Sequence, residues 1–239
     1  MIPLVFYSHS DYSDVWTPMF TQTDKFLKGY KKYLFTDQAT KDLDNNWNII
    51  RYDDALSYQK RMVHCLEQIE EETILFHHED MFLFDSPNEK KLKEIISLVE
   101  NEEIDIVKLT RASYNEEYPL VRNTTHENVY ENPSNLRFAI QPSVCNKEKL
   151  ELIYNKTYGN SIWEFEANSS MVCEYFNIKT GMTWEQGDNK RGMFHWDSNI
   201  YPYFATAIVK GKWYISDYGD LLNNVLKDNQ IDISIRGTA

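Results

Sequence analysis

The 239-residue chain is short of positive charge: 25 Lys and Arg stand against 37 Asp and Glu, a formal net charge of -12. It carries no basic tail or stripe, and that excludes a polyanion such as DNA or RNA as the expected partner, because such partners are held through neutralised phosphates. A small polyphosphate is not excluded, since one metal ion and one or two placed arginines reverse the field of a single pocket. Cysteine is equally scarce. Cys65, Cys145 and Cys173 are odd in number, far apart and outside any paired metal-ligand spacing, so they predict reduced thiols in a cytoplasmic chain. No run approaches the roughly 18 apolar residues of a membrane-spanning helix. Met1 to Tyr7 lacks the basic start and long apolar stretch of a secretory signal, so the glycosylation-type triplets at Asn123, Asn155 and Asn168 carry no weight. Internal repeats, low-complexity tracts and linkers are also missing. Aromatic side chains are plentiful at 14%, with 16 Tyr and 6 Trp. They stack well on sugars and bases, but most such rings fill core and surface ledges.

The apolar runs alternate with helical spacing. Leu4 to Ser8, Lys32 to Thr36 and Trp47 to Tyr52 read as strands, with a helix over Asp14 to Phe26 between the first two. Tyr58, Met62, Cys65, Leu66 and Ile69 mark an amphipathic helix that leads to a strand at Thr73 to His77. Ser86 and Pro87 suit the start of a helix carrying Leu92, Ile95, Ile96 and Val99, and Ile104 to Leu109 reads as the next strand. Thr110 to Ser134 is polar and aperiodic, which predicts a long binding loop or lid. Leu136 to Gln141 reads as a returning strand, Lys147 to Asn155 and Ser161 to Tyr175 as helices, and Asn177 to Lys190 as a loop. Tyr201 to Val209 with Trp213 to Ile215 forms an expected hairpin, and Leu221 to Lys227 a short helix. Alternation of this kind predicts an α/β chain with a mostly parallel central sheet and a helical, loop-rich C-terminal half.

Chemistry concentrates where strands end. The run Ile74-Leu75-Phe76-His77-His78-Glu79-Asp80 closes an apolar strand on two carboxylates, and open α/β sheets bind ligands beyond their carboxyl ends. A buried ionised carboxylate needs a cation, a metal or a proton as company. Glu79 and Asp80 therefore suit a hard divalent metal that shares its oxygen ligands with a phosphorylated substrate, or else they flank a solvated turn. His77 and His78 are poorer partners for Mg or Mn than oxygen is, and a hydrogen-bonding or packing role is open to both. Downstream, Trp163-Glu164-Phe165-Glu166 opens a helix, where its two carboxylates point about 200° apart and only one can face a pocket. Either could act as a base, or both could complement the helix N-terminus.

With these features in this order, the chain resembles the GT-A type glycosyltransferases that use nucleotide sugars. The resemblance is carried by Tyr7-Ser8-His9-Ser10-Asp11 after the first strand, Arg61 on its helix, His78-Glu79-Asp80, Gln141-Pro142, and Trp163-Glu164-Phe165-Glu166. It covers nearly the whole chain, and small bacterial and large-DNA-virus forms look most similar. His78 departs from the family's Asp-x-Asp at its first position. The resemblance implies one GT-A-like, Rossmann-like domain over 1–239, with a nucleotide-sugar half at 1–110 and an acceptor half at 111–239. It further implies a nucleoside diphosphate sugar donor, a divalent cation (Mn or Mg) and a glycan or glycoconjugate acceptor, with transfer by inversion. Asp80 would be the metal ligand and Glu79 its support, with His195 as a further candidate ligand. Tyr7, Ser8, His9 and Asp37 would line the base and ribose pocket, and Arg61 and Arg111 would reach nucleotide, sugar or phosphate. Gln141 and Trp163 would contact substrate, and Glu166 or Glu164 would be the general base. Apart from the resemblance, Arg236 in the tail could clamp a phosphate and is equally a surface group. A sugar nucleotidyltransferase and a carbohydrate-binding module without catalysis are the rival readings. The first normally needs a glycine-rich, basic loop where this chain has Ser8-His9-Ser10-Asp11.

Overall fold

Four short apolar runs build one side of a large sheet: β1 (Leu4–Tyr7), β2 (Lys32–Thr36), β3 (Asn48–Arg51) and β4 (Thr73–His78). They lie side by side as β3-β2-β1-β4, all parallel. β1 and β2 are buried along their whole length, as parallel strands covered on both faces must be. The connections are helical, through α1 (Ser13–Phe26) between β1 and β2 and α2 (Tyr58–Leu66) before β4. This is a computed structural model, and it describes residues 2–38, 46–111, 118–192 and 195–239.

Beyond β4 the chain forms α3 (Glu89–Glu100), β5 (Ile106–Lys108), β6 (Leu120–Asn123), β7 (Asn128–Glu131), β8 (Ser143–Asn146), α4 (Lys147–Lys156), α5 (Ile162–Tyr175) and β9 (Thr180–Thr183). Two small hairpins follow, β10 (Lys190–Arg191) with β11 (His195–Trp196) and β12 (Ile208–Val209) with β13 (Lys212–Trp213). Short helices α6 (Ile215–Tyr218), α7 (Asp220–Asp228) and α8 (Ile233–Arg236) end the chain. The full sheet runs β3-β2-β1-β4-β8-β5-β9-β7-β6. Among the described residues, seven of the sheet's nine strands point one way, and β7 and β8 are reversed. The core lies on both faces of this sheet, around Phe6, Phe35, Phe76, Val107 and Val144, with Trp16, Leu92, Ile95, Tyr154 and Phe165 supplied by the helices.

Several segments differ from the sequence expectation. The described part of the stretch from Thr110 to Ser134 is not only a loop: β6 and β7 form a hairpin on the sheet's edge. Leu136 to Gln141 is irregular, and the returning strand starts after Pro142 as the antiparallel β8, wedged between β4 and β5. Proline cannot donate to a ladder, which accounts for that boundary. Within Asn177 to Lys190, β9 joins the sheet parallel to β5. Of the expected strand at Tyr201 to Val209 only β12 forms, plus a single bridge from Tyr203 to Leu83. Finally, α3 is capped by Asn88, whose side chain accepts from Lys91 N, and not by Ser86.

Candidate functional site

The parallel strands bring chemistry to one edge. Tyr7 on β1 lies opposite Phe35 on β2 and His78 on β4, so Ser8, Asp37 and Glu79 leave the sheet together at its carboxyl edge. Lys108, closing β5, and Phe76 on β4 both face Ser143 on β8, which places Lys108 on the same edge and Gln141 at the entrance of β8.

One wall is built by the ends of β1, β2 and β3. Ser10 donates to both oxygens of Asp37, from its amide at 2.8 Å and its hydroxyl at 2.7 Å. Burial pushes the Asp37 carboxyl up, but the Ser10 bonds outweigh it and hold it below the usual range. His9 reaches Asp54 at 3.1 Å and lies 3.8 Å from Asp37. Ser8 is buried, and its hydroxyl accepts from the Trp16 indole at 2.7 Å while its carbonyl accepts from Tyr52. Tyr7 stacks on Tyr52 with ring centres 5.4 Å apart. The Arg61 guanidinium lies 5.2 Å from the Tyr52 ring, pairs with Asp54 and donates to the Leu56 carbonyl. Tyr7, Ser8, His9, Asp37 and Arg61 are thus brought together. Arg111 is elsewhere, among Trp196, Trp184 and Tyr118.

The carboxylate pair lies at the end of β4. Asp80 Oδ2 accepts from the Thr206 hydroxyl at 3.1 Å and the Ile208 amide at 3.3 Å. Burial pushes its carboxyl up to about 6, and those two bonds oppose the rise. Glu79 is buried, and burial together with the Asp80 charge pushes it well above the usual range, with Arg236 opposing. Arg236 itself is anchored to Asp14 and lies over the Tyr12 ring. A buried and a half-buried carboxylate side by side offer an oxygen-only donor set, and Mg-type ions are held by one or two carboxylates plus substrate phosphates. Glu79 and Asp80 fit such an ion. Among the described residues, however, no three His, Cys, Asp or Glu side chains gather, and His195 on β11 is not brought into a group with them. The histidines beside the pair are engaged with tyrosines: His77 Nε2 lies 2.7 Å from Tyr201 OH and His78 Nε2 lies 2.8 Å from Tyr58 OH. Burial lowers both imidazoles to about 3, so they are neutral.

The second station is α5. Ser161 caps it by accepting from Glu164 N at 3.2 Å, and Glu164 reaches back to Asn160 N at 2.9 Å. Ser161 and Glu164 are the capping-box pattern, readable in the sequence, which separates the two glutamates. Glu166 turns inward, and its Oε1 accepts from Ile140 N at 2.7 Å. Burial raises its carboxyl above the usual range, with the Ile140 amide and the Lys108 charge opposing. Beside Ile140, Gln141 accepts from Tyr203 OH at 2.7 Å and donates to the Ala205 carbonyl, and Thr206 holds Asp80. A short bonded path therefore joins Glu166 to the carboxylate pair. Trp163 is 79% exposed on the outer side of α5. Sequence reading missed Lys108, although a lone cation inside the apolar run Ile104 to Leu109 is the same kind of signal as the carboxylates closing β4. Two clefts lie apart from these stations: one of about 480 Å³ beside Thr124, Glu127 and Trp184, and one of about 580 Å³ beside Asp24, Tyr30 and Lys32.

No family model matches the chain, and no curated protein matches its sequence. Among solved structures, S. aureus TarS (residues 1–349) aligns with a TM-score of 0.50 at 12% identity, over 98% of this chain and 68% of that one. The fold is GT-A-like. The 2-C-methyl-D-erythritol 4-phosphate cytidylyltransferase of Thermus thermophilus aligns at 0.48 and 7% identity, over 78% of this chain and 89% of that one. The bifunctional IspDF of Campylobacter jejuni aligns at 0.46 and 10% identity over 77% of this chain, which spans 50% of its length. Likeness at such identities speaks to the fold alone. Among the described residues no helix is long and apolar enough to cross a membrane.

Proposed function

We propose that this chain transfers a sugar from a nucleoside diphosphate donor to a hydroxyl of a glycan or glycoconjugate acceptor, with inversion. The observation that carries the reading is the pair of stations on one sheet edge, Glu79 with Asp80 and Glu166, joined through Ile140, Gln141 and Thr206. Glu166 takes the acceptor hydroxyl's proton as that oxygen bonds to the anomeric carbon, and the bond to the diphosphate breaks with its electrons on the departing oxygen. A carboxyl raised towards neutrality is a better base than a fully solvated one. Glu79 and Asp80 would hold a divalent cation, which when bound offsets charge building on the diphosphate. Tyr7, His9, Asp37 and Arg61 would form the nucleotide wall, Arg111 would reach the donor sugar or phosphate, and Gln141 and Trp163 would contact substrate. The Ser8 to Asp11 loop offers no Lys or Arg to a triphosphate, and His9 is paired with Asp54, which argues against nucleotidyl transfer.

The test is a transfer and donor-hydrolysis screen across nucleotide sugars with Mn or Mg. Glu166→Gln is expected to lower kcat by about 10²- to 10⁴-fold, the span of general-base catalysis. Glu164→Gln is expected to keep both turnover and stability, because a glutamine oxygen can still accept from Asn160 N. Undiminished turnover in Glu166→Gln refutes the base assignment. Calorimetry separates the sugar-binding alternative, which requires heat with sugar alone and none with nucleoside diphosphate plus Mn.

A further inference from the structure

The cleft of about 480 Å³ lies between the β6–β7 turn and the segment after β9. Both β6 and β9 run parallel to β5, so Asn123 and Trp184 leave the sheet at the end where Lys108 does. In the order β4-β8-β5-β9, three strand spacings separate β9 from the strand that Glu79 and Asp80 close, about 14 Å at ~4.8 Å each. Both sides of the cleft are braced from α3. Glu94 Oε2 accepts from the Thr124 hydroxyl and from His126 N at 2.8 Å, and its Oε1 lies 2.7 Å from His126 Nδ1. Across the turn Thr124 N donates to the Glu127 carbonyl at 2.9 Å. Lys91 joins the two sides, with its ammonium 3.1 Å from Glu127 Oε2 on the turn and paired with Glu185 on the opposite segment. The walls are therefore fixed before a ligand arrives, which lowers the cost of binding one.

The lining decides which ligand suits this shape. Lys91 is engaged by two carboxylates and His126 by Glu94, so the cations at the cleft are not offered to a phosphate or sulfate. What lines it without a protein partner is neutral: among the described residues, the exposed side chains of Asn123, Thr125 and Gln186 make no hydrogen bond. Trp184 and Tyr130 line the same space, with ring centres 5.4 Å apart and planes at 78°. Carboxamides and a hydroxyl both donate and accept, and aromatic rings take up apolar surface. A sugar presents the matching pair, an apolar C–H face and a rim of uncharged hydroxyls. The cleft's volume also falls within the ~300–1,000 Å³ of ligand sites. We infer that this cleft is a second saccharide site, which takes a neutral sugar of the acceptor chain remote from the hydroxyl that is glycosylated. A chain of several sugars laid along the strand ends would reach from Glu166 to Trp184. The saccharide site stands on the cleft alone, and its link to the acceptor rests on the glycosyl-transfer reading above.

The test uses the full chain without donor or metal, as wild type, Thr125→Trp, Asn123→Ala and Gln186→Ala. All three positions are exposed, so the fold is kept. The Trp184 indole N–H signal, assigned through Trp184→Phe, is followed by NMR. Neutral hexasaccharides of glucose, mannose, xylose and N-acetylglucosamine are titrated in, with hexagalacturonate and hexalysine as charged probes. At least one neutral chain is expected to move the signal. Thr125→Trp should abolish the response by filling the cleft, and Asn123→Ala and Gln186→Ala should each weaken it about two- to tenfold. No response to any neutral chain, or a response to a charged probe alone, overturns the inference. In the active enzyme Thr125→Trp should raise KM for a long acceptor and leave kcat unchanged, and an unchanged KM overturns the acceptor assignment. A protein that binds neutral sugar here but is inactive with every donor upholds the saccharide site and overturns the transfer reading instead.

Discussion

Lys108 should weaken the fold it belongs to, and by an amount that can be worked out. Burial lowers its ammonium from 10.5 to about 8. A group that binds its proton less tightly when folded costs about 1.4 kcal/mol per unit, so Lys108 costs about 3 kcal/mol at neutral pH. Methionine fills a similar volume without a charge. Lys108→Met is expected to gain up to about 3 kcal/mol at pH 7, less whatever Glu166 loses with its counter-charge. For a chain of this length that raises Tm by roughly 6–12 °C. The sign with pH is fixed: the cost is full below about 8, where folded Lys108 is charged, and fades as pH rises towards 10.5, where the unfolded lysine also sheds its proton. Urea unfolding of both proteins at pH 7 and pH 10 checks this, with the gain expected to shrink at the higher pH. No gain at pH 7, or an equal gain at both, refutes the reasoning.

Asp80→Asn should stabilise the metal-free protein above pH 6 but not below pH 4, because the folded carboxyl holds its proton up to about 6 and the cost is complete only above that. Added Mn should raise the Tm of the wild type and not of Asp80→Asn in a thermal-shift assay. Gly181→Ala on β9 places a methyl 2.5 Å from Val129 Cγ1 and 2.9 Å from Ile104 Cδ1. It is expected to cost about 1–3 kcal/mol by overpacking, read by denaturant midpoint. Tyr58→Phe removes the hydroxyl shared by His78 and Tyr154, at 2.8 and 3.0 Å, and leaves buried polar atoms unpaired. A loss of about 1–3 kcal/mol follows, with no change in m-value if the fold is kept.

The N-terminal side of the sheet was readable because β1, β2 and β4 are nearly continuous apolar runs, each closed by polar residues at the ligand-binding edge. What was not readable had weaker patterning. β6 and β7 sit at the sheet's rim with half-exposed, polar-rich strands, so their sequence looks like a loop. β9 is only Thr180-Gly181-Met182-Thr183, and its glycine signals the close approach of Val129 rather than a turn. β8 was displaced by a few residues because the apolar run Phe138-Ala139-Ile140 resembles a strand, while Pro142 moves the ladder past it. At the site, periodicity showed that Glu164 and Glu166 diverge but not which one turns inward. The cap at Ser161 and the Ile140 amide divide those roles. Lys108 has no sequence signal beyond a single cation in a short apolar strand, the pattern of an edge residue as much as of a buried one.

The reversed strand β8 also sets the order in which the chain can be completed. β4 ends at His78, yet its second neighbour spans Ser143 to Asn146, and three of those residues, Ser143 to Cys145, also pair with β5. During synthesis the apolar edges of both strands stay unpaired until residue 146 has emerged, and open apolar edges are templates for joining other chains. A fragment cut after residue 110 would keep those edges permanently, so its fate is aggregation rather than a folded half.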